Sequence, residues 1–183
     1  MFLGLFRFLG LLSFSYASTT FQFPELKPEL EKYQDASEVY PLTEPFYELY
    51  RNYEEDPIFG TGKCLKFSQV GPEEDRGYPI LAQWGDDNQT IIAYGKLQSS
   101  EGYTAKNMGL YTVDGVDGSL PLYLTFMEVG NCGVIRIAYV NEDACGVIVP
   151  ESHLGQDTTI CDFVYDLLCG TYKYHLDDEN CNW

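Results

Sequence analysis

The 183 residues are enough for one domain with its own core. A formal net charge of −17 argues against nucleic acid and against anionic membrane surfaces as partners. Six cysteines with no close C-x-x-C pair point to three disulfides in an oxidising compartment rather than to a zinc site.

Residues 1–12 are apolar apart from Arg7, and Ser15-Tyr16-Ala17 sets small residues at the −3 and −1 positions of a signal-peptidase site. Residues 1–17 therefore read as a cleaved signal peptide, and residues 18–183 as one secreted domain. No other stretch approaches the 18 apolar residues of a membrane span. Residues 28–40 hold good helix formers behind Pro28, which suits a first helical position, so an N-terminal helix is expected there. Residues 46–53 are aromatic-rich and alternate crudely, giving a first strand that Asp56-Pro57 and Gly60-Thr61-Gly62 end.

From there strands and turn clusters alternate. Strands are expected at 64–70, 78–84, 90–98, 103–113 and 120–129, separated by Gly, Pro, Asp, Asn and Ser clusters. Two more, 134–139 and 146–149, form a hairpin around Asn141-Glu142-Asp143. Eight strands at this spacing are the pattern of an antiparallel barrel or sandwich. Cys161, Val164, Tyr165 and Leu168 then fall on one helical face, with Gly170 at the C-terminal stop. An extended segment at 172–176 and Cys181 follow.

Four cysteines cluster here, and geometry limits their pairing. Cys161 and Cys169 lie eight residues apart on a helix, roughly 12 Å, too far to bond each other. Cys132 and Cys145 sit at opposite ends of an extended strand, also out of reach. Each hairpin cysteine therefore reaches elsewhere, and the helix offers two partners.

Catalytic signatures are missing: no G-x-S-x-G, no H-E-x-x-H and no phosphate-binding G-x-x-x-x-G-K-[ST]. His153 and His175 read as surface residues. Residues 114–118 read as a tight turn, because the spacing and the final glutamate of a calcium loop are lacking. The chain is expected to be no enzyme and to carry no cofactor or metal. Asn88-Gln89-Thr90 is a glycosylation acceptor in a polar turn. Fifteen tyrosines, eleven phenylalanines and two tryptophans are expected mainly in core packing. An eight-stranded barrel can also hold one small ligand, and some aromatics would then line its cavity.

Several residues resemble the tick salivary lipocalins, also called the tick histamine-binding protein family. They are Asp35-Ala36, Phe46-Tyr47 through Tyr53, Asp56-Pro57 with Gly60 and Cys64, Asn131-Cys132, and Cys145 with Val149-Pro150-Glu151. The block 161–170, Lys173-Tyr174 and Cys181 complete the resemblance, which spans nearly all of 18–183. It implies an all-β fold with flanking helices: an eight-stranded antiparallel lipocalin-type barrel with an N-terminal and a C-terminal helix packed on it. It also implies the pairs Cys64–Cys181, Cys132–Cys161 and Cys145–Cys169. The function it implies is capture of a small host mediator, a biogenic amine such as histamine or a lipid, by a secreted monomer that thereby suppresses inflammatory defence.

Tyr53, Asp56, Phe59 and Tyr111 are the expected ligand-binding residues. Gly133 stands where amine-binding members place an acid, and Gly146-Val147-Ile148 replaces a Glu-Leu-aromatic triplet. Glycines at these positions imply a roomier, more apolar cavity that suits a lipid as well as an amine. The other reading is a protein-interaction module. Acidic loops such as 71–77 would then meet a host protease, complement component or receptor.

Overall fold

A computed structural model describes residues 23–177 and 181; the expected signal peptide lies outside the described residues. The strands are β1 (Phe46–Arg51), β2 (Lys66–Gln69), β3 (Tyr78–Trp84), β4 (Gln89–Gln98), β5 (Met108–Val113), β6 (Leu120–Glu128), β7 (Cys132–Arg136), β8 (Cys145–Pro150) and the short β9 (Tyr174–His175). Consecutive strands from β2 to β8 pair antiparallel, β8 pairs with β1, and β1 pairs with β2, which closes an eight-stranded barrel. The extra strand β9 adds to the far end of β1, at Tyr50 and Arg51. Among the described strands closure leaves no free sheet edge except where β1 reaches past β2, and β9 covers part of that.

A bulge in β1 decides which side chains face inward. Glu48 pairs with Ile148 and Tyr50 with Val147, so Leu49 is the extra residue. Its carbonyl accepts instead from Leu176 N at 2.8 Å. The bulge breaks the alternation: Tyr47 and Tyr50 both point outward into one core cluster, whereas Phe46 and Glu48 line the interior.

The largest core lies outside the barrel. Helix α1 (Thr159–Cys169) lays Cys161 and Tyr165 against Tyr47, Tyr50, Val134, Val147 and Val149. The Tyr50 and Tyr165 rings meet edge to face at 4.9 Å, and the Tyr50 hydroxyl donates to Asp162. Cys132–Cys161 and Cys145–Cys169 staple α1 to β7 and β8, and Cys64–Cys181 ties the C-terminal tail to the approach to β2. All three pairs are those the family resemblance implies.

The N-terminal helix differs from expectation. Two 3-10 turns, Pro28–Tyr33 and Ala36–Glu38, take its place. The first buries no residue, so no apolar face sustains a longer helix. Between the two turns, the Gln34 side chain donates to the Thr125 and Glu25 carbonyls at 2.8 and 3.0 Å and accepts from the Tyr103 hydroxyl at 2.6 Å. These bonds hold the segment across one mouth of the barrel, where Ala36, Val39 and Tyr40 close over the interior. The strand expected from 103 begins only at Met108. Residues 104 and 105 give their backbone N–H groups to the Glu31 carboxylate rather than to a neighbouring strand.

Candidate ligand-binding site in the barrel

The barrel encloses a cavity of about 150 Å³. A cavity of this size holds about one benzene-sized ring. Inward positions of the strands supply an apolar wall, including Ile80, Ala82, Ala93, Leu122, Ile135 and Ile148. Tyr111 crosses this space on a bed of two glycines. A Cβ on Gly95 or Gly109 would stand 2.5 or 2.6 Å from its ring, so neither position tolerates a side chain with the ring in place. The Tyr111 and Tyr40 hydroxyls are 2.7 Å apart.

Among the described residues Glu48 is the one carboxylate in the wall, and only 2% of it is exposed. Its Oε1 has no hydrogen-bond partner among the described residues. Burial pushes its pKa up to about 8; Arg51 pulls the other way and Asp56 adds to the rise. The carboxyl is thus largely protonated at neutral pH when nothing cationic sits beside it.

Behind Glu48 lies a second set of buried polar groups. The Asp56 Oδ1 accepts from the backbone N–H groups of Ile58 and Phe59 at 2.8 and 3.1 Å. Its Oδ2 accepts from the Tyr53 and Tyr139 hydroxyls at 3.0 and 2.9 Å. Arg51, fully buried, sends Nη2 to the carbonyls of Glu54 and Gly60 and brings Nη1 to 3.9 Å from Asp56. Desolvation and the nearby carboxylates raise the pKa of Tyr53 and Tyr139 well above the usual range, so both remain hydroxyl donors.

The four residues expected to bind ligand therefore separate. Phe59 and Tyr111 line the cavity; Tyr53 and Asp56 stand behind the wall and pin the β1–β2 loop, with Tyr139 reaching from the lining to Asp56. Sequence reasoning missed Glu48 because the bulge after it breaks the alternation that would have shown the inward face of β1, and Asn107, a second polar lining residue, was hidden inside an overlong strand. The room expected at the two glycines is filled. A Cβ on Gly133 would meet Met127 Cε at 2.9 Å and Ile148 at 3.3 Å, and one on Gly146 would stand 2.3 Å from Glu48 Oε1. Glu48 occupies the volume that a side chain at 146 would need.

The remaining expected features lie on the surface. Asn88 is exposed in the β3–β4 turn. Asp114 forms an ion pair with Arg76 at 2.7 Å, which suits a turn. The His153 ring bonds the Asp157 carbonyl, and His175 bonds the Asp177 carboxylate. Among the described residues no group of three or more His, Cys, Asp or Glu is placed to hold a metal ion. No described helix is long and apolar enough to cross a membrane.

A closed antiparallel barrel with its cavity, its side helix and these three disulfides meets a direct family match: the model described as tick histamine binding protein covers residues 24–182. The chain belongs to the tick histamine binding protein family. No individual curated protein matches it. Family membership makes this a ligand-binding barrel of lipocalin type, and the interior just described is where a barrel of this kind has room for its ligand.

Proposed function

We propose that this protein is a secreted carrier, not an enzyme, that sequesters one small cationic host mediator in its barrel and so blunts the host's inflammatory response. The observation that carries the reading is Glu48, a buried carboxyl facing an apolar cavity with one oxygen unpartnered. A buried ammonium needs such a partner, and a buried carboxylate needs such a cation. Phe59 and Tyr111 contribute the aromatic wall. Tyr53 and Asp56 act one layer out, fixing Arg51, Tyr139 and the β1–β2 loop around the carboxyl. The ring-sized volume favours a compact amine over a lipid mediator, whose chain would have to force the wall apart.

In this reading the chain acts as a monomer, residues 18–183 are the mature domain, and Asn88 carries a glycan. Calorimetry with histamine, serotonin and a leukotriene tests the ligand class. Binding of one of the two amines, lost in Glu48→Gln with the fold intact, is the expected result. Heat from the leukotriene alone would overturn the amine assignment. Silence with all three would favour a partner protein at loops such as 71–77.

A further inference from the structure

We infer that the cavity has a second polar subsite, built on Asn107 at the mouth opposite the Glu48 cluster, that takes a hydrogen-bond acceptor of the ligand. Every neighbouring strand pair is antiparallel, so β5 runs in the same direction as β1, and residues just before β5 lie at the mouth where β1 begins. Asn107 is there, beneath the N-terminal segment, whereas Arg51, Asp56 and Tyr139 cluster at the other end of β1.

Asn107 is fully buried and lines the cavity. Its Oδ1 accepts from Ser100 N at 2.8 Å, and its backbone carbonyl accepts from Leu124 N at 2.9 Å. The first bond settles which way the amide faces. A backbone N–H can only donate, so the oxygen must be on the Ser100 side and the NH₂ on the other. That Nδ2 has no partner among the described residues. Nearby, Tyr40 and Tyr111 share one hydrogen between their hydroxyls, which leaves the second hydroxyl hydrogen of the pair free for another acceptor. Among the described residues the only lining carboxylate is Glu48. This mouth therefore offers donors and no anion, and it suits a neutral acceptor rather than a second cation.

Buried donors are normally satisfied, and a site built around one discriminates strongly against a ligand that cannot satisfy it. Resting on the carrier reading above, the cargo class becomes narrower: a compact ring with a cationic group at one end and a hydroxyl, carbonyl or ring-nitrogen acceptor at the other. Solvent would occupy the donors in the empty barrel and be displaced by that acceptor.

The test separates the subsite from the cation site by using neutral rings. Acetophenone and isopropylbenzene have the same size and outline and differ in one carbonyl. In ¹⁵N-labelled protein, acetophenone is expected to bind about tenfold tighter or more, and to shift the Asn107 side-chain amide signals. Isopropylbenzene should leave those signals in place. Asn107→Leu, checked for an intact fold by its amide spectrum, should erase the preference; should it fail to fold, the Asn107 side-chain signals of the parent protein decide alone. Equal affinity for the two rings, or unmoved Asn107 signals, would sink the subsite and leave the carrier reading standing. Failure of both rings to enter the barrel would likewise sink the subsite alone, because the carrier reading is decided by amine binding and its loss in Glu48→Gln.

Discussion

The two sides of the barrel wall are built on opposite principles. Outside, beneath α1, the core is apolar and its polar tips are tied off: Tyr47 donates to Glu151, Tyr50 to Asp162 and Tyr165 to the Tyr172 carbonyl. Two disulfides seal it. Inside, the wall is as apolar, yet Glu48 Oε1 and Asn107 Nδ2 are left without partners among the described residues. The difference teaches where stability and function are kept. The fold does not depend on its interior being satisfied, because its packing and its staples lie on the other face of the same strands. The interior is then available for chemistry that a ligand completes.

The largest expected effect breaks the outer side. Tyr165→Ala should cost about 3–5 kcal/mol in denaturant unfolding, the range for removing a large buried aromatic, since the ring is fully buried among Tyr47, Tyr50 and Val147. Whatever protein remains folded should bind ligand as before. Replacing Cys145 and Cys169 with serine opens a bridge across 24 residues and should cost about 3 kcal/mol by the same measurement. A matching loss of ligand affinity in either variant would contradict the division between the two faces.

The inner side is tested by pH. With its pKa raised to about 8, Glu48 holds a proton at neutrality that a cationic ligand must displace. Affinity for a ligand that stays cationic should therefore rise with pH, by up to tenfold per unit between about pH 5 and 8, and level off above that. In Glu48→Gln the profile should be flat and the binding weak. Stability runs the other way. Between the ordinary value of 4.5 and about 8 the unfolded chain is ionised at this position and the native chain is not, so Glu48 makes the native state less stable as pH rises through that window. Glu48→Gln should remove this slope and stabilise the empty protein at pH 7. The smallest effect is expected from Gly146→Ala, whose Cβ would push the mobile end of Glu48 aside. Ligand affinity should fall about tenfold while the unfolding free energy changes by less than about 1 kcal/mol.

Much of the barrel was legible because turn chemistry is local. Gly85-Asp86-Asp87-Asn88 and the Gly and Asp run at 114–118 separate β3, β4, β5 and β6 close to where the sequence divides them. The helix was legible from the periodicity of Cys161, Tyr165 and Leu168, although Leu168 is only partly buried. What sequence could not supply was long-range. Leu49 bulges where its carbonyl accepts from Leu176 N, 127 positions further on, and that bulge turns Tyr50 outward beside Tyr47 where simple alternation after Phe46 and Glu48 would turn it inward. Residues 104–105 leave the sheet because Glu31 claims their N–H groups, which in turn sets Asn107 at the mouth rather than in a strand. The expected site reached Asp56 and Tyr53, which brace the wall, and Phe59 and Tyr111, which face the cavity, but neither Glu48 nor Asn107.

Glu48 and position 146 draw on one volume, and this constrains how such a barrel can change its cargo over time. A chain that gained an acid at 146 while keeping Glu48 would crowd two carboxyls into the space of one, where like charges resist sharing a buried site. A chain that lost Glu48 first would pass through a form with no cavity acid at all. The two placements of the acid, on β1 or on β8, are therefore separated by an intermediate that binds cations poorly. Lineages that settle on one are expected to stay with it, and a glycine at 146 marks which side of that divide this protein occupies.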